Sequence, residues 1–208
     1  MEDKTFDKLS YALGLSMGNN FRSSGIQEIN IQDFADGVSS VFSGAEPKMT
    51  YAEAKQIIQV FFEDLQRKQQ EEAMKQAQIN KAAGEAFLKK NAERGEVHTT
   101  ATGLQYEVIE KGQGRSPKAN DRVEVHYTGR LLDGTVFDSS VERGVPATFG
   151  VTQVIPGWVE ALQLMKEGDK WRLYIPSNLA YGPQGAPGAI GPNATLIFDV
   201  ELIKVIGK

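Results

Sequence analysis

The 208-residue chain contains no cysteine. That absence excludes a disulfide scaffold, a thiolate metal centre and a cysteine nucleophile. Only two histidines occur, His98 and His126, too few for a histidine-based metal centre or a standard catalytic triad. No metal site and no cofactor are therefore expected. Basic charge is not in excess: 23 Lys+Arg face 27 Asp+Glu, a formal net charge of −4, whereas nucleic-acid-binding domains are usually basic. No nucleic-acid partner is expected. Nor is there a run of ~18 apolar residues, the length that marks a membrane-spanning helix. The N-terminal residues, Met1 to Lys8, are acidic where a signal peptide is basic and then apolar. As written the chain reads as cytoplasmic; a chain from which a signal peptide has been removed, and which is periplasmic or surface-exposed, would read the same way.

What is present divides unevenly. Of 21 glycines and 8 prolines, 7 and 1 lie up to Gly95, and 14 and 7 lie beyond it. Glycine and proline punctuate turns and interrupt helices. The expected class is α+β: an all-α region with a long stalk helix, then an antiparallel sheet wrapped on a short helix. The expected boundaries are 1–50 for a helical dimerisation region, 51–95 for the long linker helix and 96–208 for the sheet domain.

Three helices are expected in the first half. The first spans about Asp7 to Ser23, with Leu9, Leu13, Met17 and Phe21 spaced four apart. The second starts at the N-cap residue Asn30 and ends at Gly44, a glycine stop. The third opens with Thr50 and Glu53 at capping-box spacing and runs uninterrupted to Arg94, 44 residues from Tyr51. At 1.5 Å per residue that is ~66 Å. Its early stripe, Ile57, Ile58, Phe61, Phe62 and Leu65, gives way to Gln66–Glu72, which holds no apolar residue and must be solvated. Four acid-first i,i+4 pairs (Glu63–Arg67, Asp64–Lys68, Glu71–Lys75 and Glu85–Lys89) suit a solvated stalk. About 45 residues ahead of it are too few for a core without disulfides or metal. Their aromatic faces are expected to pair with a second copy.

In the second half, strands are expected at Leu104–Glu110, Arg122–Tyr127, Thr135–Phe137, Trp171–Ile175 and Ala194–Ile206, about five in all. A short helix is expected over Gly157–Leu162, and a loop over residues 177–193. Asp133-Gly134 is a hairpin signal. Gly112-Gln113-Gly114 lacks a third glycine and precedes Pro117, which rules out a dinucleotide loop. His126 sits in an alternating strand without catalytic partners. The domain is dense in aromatics, among them Tyr106, Tyr127, Phe137, Phe149, Trp158, Trp171, Tyr174, Tyr181 and Phe198. By themselves these residues imply a core, with room for an apolar ligand pocket.

The motif order says more. Val125-His126-Tyr127-Thr128-Gly129, Asp133 to Ser140, Val154-Ile155-Pro156-Gly157-Trp158, Ala180-Tyr181-Gly182 and Ala194 to Leu202 follow one another over about 100 residues. In this order and spacing they resemble the FKBP family of peptidyl-prolyl cis-trans isomerases. The helical half resembles the dimeric bacterial subgroup related to macrophage infectivity potentiator proteins. The resemblance implies a prolyl isomerase that assists protein folding as a V-shaped homodimer with chaperone activity. Its partners would be unfolded or partly folded prolyl proteins, with inhibition by macrolides of the tacrolimus and rapamycin type and no insertion into membranes.

The resemblance also implies site residues. Tyr127, Phe137, Asp138 and Tyr181 would be catalytic; Arg143, Val154, Ile155, Trp158, Ile190 and Phe198 would bind substrate. Trp158 would form the floor, Tyr181 would donate its hydroxyl to a substrate carbonyl, and Ile155 its backbone N–H to another. Ala147, Ala186, Ala189 and Gln153 depart from better-known members at rim positions. Asp138 has two readings, a turn-capping aspartate or a carboxylate that shapes the pocket's field. The rival functions are a non-catalytic FKBP-domain chaperone and an adaptor whose helical half docks another protein.

Overall fold

A computed structural model describes residues 6–207. Three helices come first: α1 (Lys8–Ser23), α2 (Ile31–Ser43) and α3 (Tyr51–Asn91). Local side chains set their starts. Asp7 accepts from the Ser10 N–H at 2.7 Å, and Asn30 from the Asp33 N–H at 3.1 Å. Thr50 and Glu53 form the expected reciprocal box, with the Thr50 N–H donating to Glu53 Oε2 at 2.8 Å and the Glu53 N–H to Thr50 Oγ1 at 3.2 Å. Gly44 closes α2 in the left-handed conformation, at φ 69°. The third helix ends three residues earlier than expected. Beyond it, Arg94 turns back so that its guanidinium meets Asn91, Glu96, Glu107 and Tyr174.

The chain divides into two compact units, one reaching Gln69 and the other starting at Gln70, so the division falls inside α3. In the first unit, neither α1 nor α2 contains a buried residue. Phe21 and Phe34 meet edge-to-face at 5.4 Å. Leu9, Leu13, Ile31, Val41, Phe42 and Ile57 stay exposed, Phe42 at 88%.

The second unit is a seven-stranded antiparallel sheet rather than a five-stranded one: β1 (Val97–Thr99), β2 (Gln105–Glu110), β3 (Arg122–Arg130), β4 (Val136–Ser139), β5 (Ala147–Gly150), β6 (Lys170–Ile175) and β7 (Leu196–Ile206). The order is β1-β2-β6-β7-β3-β4, with β5 pairing β3. The two additional strands are short edge strands. One short helix, α4 (Pro156–Leu164), begins with Pro156 in its first turn, where proline's missing N–H costs nothing.

Alternation sorts the strand residues between two faces. Val123, Val125 and Tyr127 of β3, Trp171, Leu173 and Ile175 of β6, and Phe198, Val200 and Leu202 of β7 are buried in one core with Trp158, Ala161 and Leu162 of α4. Glycine lets the layers close: a Cβ on Gly157 would lie 2.5 Å from Ile175. The intervening residues face the other way, where the end of α3 packs. Phe87 lies 5.7 Å from Tyr174. Asn91 Nδ2 donates to Gln105 Oε1 at 2.9 Å, and Gln105 Nε2 to the Leu88 carbonyl at 2.9 Å. The last two turns of α3 are thus a working part of the sheet domain.

Candidate functional site

A cavity of about 410 Å³ opens between the sheet and the N-terminus of α4. Its lining is Tyr127 from β3, Phe137 and Asp138 from β4, Phe149 from β5, Trp158 from α4 and Phe198 from β7, completed by Gln153, Val154, Ile155 and Tyr181 from loops. Trp158 is 4% exposed and is enclosed edge-on, with Tyr127 and Phe198 at 5.3 Å and Phe149 at 6.0 Å. Such T-shaped pairs put positive ring edges against negative faces and fix the rings' directions. Gly129 makes room for them: a Cβ there would sit 2.6 Å from both Phe137 and Phe198.

The polar groups converge at one rim. Tyr127 donates its hydroxyl to Asp138 Oδ2 at 2.5 Å. Arg143 forms an ion pair with Asp138, donates to the Tyr127 hydroxyl at 3.0 Å and stands 5.7 Å from the Tyr127 ring centre. Burial pushes the Asp138 pKa up, but the Tyr127 and Arg143 hydrogen bonds together outweigh it and hold the carboxyl below its ordinary value. Burial, with Asp138 second, raises the Tyr127 pKa. The pair is therefore locked as phenol and carboxylate. Both Asp138 oxygens meet the rim, Oδ2 taking the Tyr127 hydroxyl and Oδ1 the Arg143 guanidinium. The turn is instead held by serines, Ser139 Oγ accepting from the Glu142 N–H at 3.2 Å and Ser140 Oγ from the Tyr127 N–H at 2.8 Å.

Nine of the ten expected site residues gather at this cavity. Eight line it, and Arg143 reaches it through Asp138 and Tyr127. Ile190 does not line it; it is 7% exposed and packs in the core. Phe149 lines the cavity and was missed as a site residue, because it lies on a four-residue edge strand without a motif. Gln153, expected at the rim, turns its Oε1 back onto the Gly150 N–H at 3.3 Å. Tyr181 is 42% exposed at the mouth. Among the described residues the Ile155 N–H meets no acceptor, while the Ile155 carbonyl takes the Trp158 and Val159 N–H groups. His126 stays outside, its Nδ1 3.1 Å from Ser140 Oγ.

A larger cleft, of about 750 Å³, lies on the opposite face between α3 and the sheet. Its arginines are satisfied internally, Arg130 and Arg172 each at 2.6 Å from Asp199 and Arg94 at 3.0 Å from Glu107. The described residues contain no cluster of potential metal ligands and no helix long and apolar enough to cross a membrane.

The cavity is thus an aromatic pocket with a phenol–carboxylate–guanidinium rim. Residues 113–203 match the family model for FKBP-type peptidyl-prolyl cis-trans isomerases. Residues 6–108 match the domain amino terminal to FKBP-type peptidyl-prolyl isomerase. The chain belongs to this family. It is 50% identical over 202 residues to the peptidyl-prolyl cis-trans isomerase Mip of Coxiella burnetii, covering 97% of this chain and 87% of that one. It is 48% identical over 199 residues to the outer membrane protein MIP of Legionella longbeachae, covering 96% and 85%. The crystal structure of FkpA from Escherichia coli superposes with a TM-score of 0.73 at 40% identity, covering 98% of each chain. The cytoplasmic placement read from the first residues finds no support in these names, one of which is an outer membrane protein.

Proposed function

We propose that the aromatic cavity accelerates cis–trans isomerisation of X–Pro bonds in unfolded and partly folded proteins. Uncatalysed, that rotation faces a barrier of ~18–20 kcal/mol and takes tens of seconds or more. Amide resonance separates charge in the planar ground state, and twisting removes it. An apolar cavity therefore favours the twisted amide over the planar one, which is differential binding of the transition state. The observation that carries the reading is Trp158, buried and framed by Tyr127, Phe149 and Phe198 at 5.3–6.0 Å, a floor for a prolyl ring.

The rim groups hold the rest of the peptide. Tyr181 donates its hydroxyl to one substrate carbonyl, and Ile155 its open N–H to another. Tyr127, Phe137 and Asp138 set the wall and field on the twisting bond, and Arg143 keeps Asp138 charged. Val154 and Phe198 add apolar contact. Macrolides of the tacrolimus and rapamycin type fit the same cavity. An adaptor or a non-catalytic chaperone would not need this largely aromatic lining around a buried Trp158.

The first unit gives the enzyme a second function, self-association. Leu9, Leu13, Met17, Ile31, Phe34 and Phe42 are exposed, each by at least 37%, and apolar surface of this extent marks an interface. A second copy covers it, and the dimer offers an unfolded chain two cavities. The name of one relative, an outer membrane protein, favours work in the cell envelope. The direct test is a prolyl-peptide isomerisation assay with sedimentation of the same sample: an active dimer is expected, and an inert chain would remove the enzyme reading.

A further inference from the structure

Tyr181 enters the cavity at the head of a loop that includes Gly182, Gly185, Gly188 and Gly191. Glycine loses more conformational freedom on ordering than any other residue, so such a loop stays in place only where something holds it. Within the loop, Ala186 and Ile190 exchange N–H···O bonds at 2.8 and 3.2 Å. The Asn193 N–H donates to the Gly182 carbonyl at 2.8 Å. Asn193 itself sits at φ 55°, a left-handed conformation that few residues besides glycine and asparagine adopt readily.

The outer fastening comes from α3. Asn80 Nδ2 donates to the Pro192 carbonyl at 2.8 Å. Gln76 Nε2 donates to Asn80 Oδ1 at 2.8 Å, which occupies the amide oxygen and leaves the amino group for the loop. Asn193 Nδ2 donates to the Ala77 carbonyl at 3.4 Å. One turn further along the same helix face, Gly84 lies against Thr195, so closely that a Cβ would collide with its hydroxyl. The path to the cavity is short: Asn80 holds the Pro192 carbonyl, the adjoining Asn193 N–H holds Gly182, and Gly182 follows Tyr181.

We propose that Asn80 is a positioning residue for isomerisation, fixing through Pro192 and Gly182 the direction in which Tyr181 meets the substrate. The proposal rests on the isomerase reading of the cavity. It makes α3 a part of the site, although no α3 side chain lines the pocket. Because Tyr181 acts on the carbonyl of a peptide whose geometry changes in the transition state, disorder in its direction falls on kcat more than on KM.

The test uses the full chain and a short prolyl peptide. Asn80→Asp keeps the side chain's shape but sets a carboxylate oxygen against the Pro192 carbonyl. The expected loss is about three- to tenfold in kcat/KM, the size of one hydrogen bond, mainly in kcat. Hydrogen exchange at the Ala186, Ile190 and Asn193 amides should quicken together. Gln76→Ala, which only lets the Asn80 amide turn, should give a smaller loss in the same direction, and it serves if Asn80→Asp folds poorly. Asn91→Ala, which breaks the buried bond to Gln105 at the other end of the contact, should lower Tm and leave kcat/KM unchanged well below it. In a Tyr181→Phe background the loss from Asn80→Asp should shrink, the sign of coupled residues. Wild-type kcat/KM in Asn80→Asp, or an equal loss in both backgrounds, would overturn the positioning role. A wild-type chain with no activity would instead overturn the isomerase reading.

Discussion

At the residue scale, the polar pair at the cavity rim does not titrate near neutrality. Asp138 is held below its ordinary pKa and Tyr127 above its own, so neither changes charge between about pH 6 and 8, where an unperturbed histidine does. Peptide isomerisation should be flat over that range; a bell-shaped profile would mean acid–base catalysis. A depressed carboxyl contributes stability above its unfolded pKa and loses it as pH falls through its folded value. Asp138 and Asp199 are both depressed, with burial outweighed by their arginine and, for Asp138, tyrosine partners. Their contributions should hold at neutral pH and disappear in acid, below the ordinary carboxyl range. Acid unfolding of Asp199→Asn should show a weaker pH dependence than wild type.

Elements show which signals a sequence carries openly. The starts of α2 and α3 were legible because Asn30, Thr50 and Glu53 act on their own neighbours. The strands β3, β6 and β7 were legible because alternating Val123/Val125/Tyr127, Trp171/Leu173/Ile175 and Phe198/Val200/Leu202 must share a buried face. The edge strands β1 and β5 were not, since Val97–Thr99 and Ala147–Gly150 are too short to show a period. The end of α3 was hidden for a different reason. Beside Phe87, its contacts with the sheet domain run through Asn80, Asn91 and Gly84, which carry no apolar signal in a hydrophobic pattern. The family motifs brought eight of the lining residues together on paper, whereas Phe149 had only its aromatic ring to recommend it. Gly84 offers a direct check. Gly84→Val should drive a branched side chain into Thr195 and destabilise the sheet domain by roughly 1–3 kcal/mol, the usual cost of overpacking, read as a lower Tm. An unchanged Tm would mean that α3 is not packed there.

At the scale of the whole molecule, a cut at residue 96 would strip Asn91 and the Leu88 carbonyl from the buried Gln105, and Phe87 from Tyr174. A fragment of 70–208 keeps them. It should be the more stable of the two and monomeric, since the exposed faces of α1 and α2 are gone. On a short peptide it should match the full chain. On a protein whose refolding is limited by proline it should be slower at equal cavity concentration, because the two linked sites of the proposed dimer raise the effective concentration for the second encounter. Equal refolding rates would leave the dimer without a catalytic purpose.

The claim on which the rest depends is that the cavity around Trp158 twists the prolyl bond. The most direct measurement is kcat/KM for isomerisation of a short X–Pro peptide by the full chain and by Phe137→Ala. Phe137 is half-buried beside Phe198, their ring centres 5.5 Å apart, so its removal opens the wall without emptying the core. Wild type should accelerate the reaction clearly and the variant should lose about tenfold or more, the contact energy of one ring, with self-association unchanged. Equal turnover by the two proteins would contradict that claim.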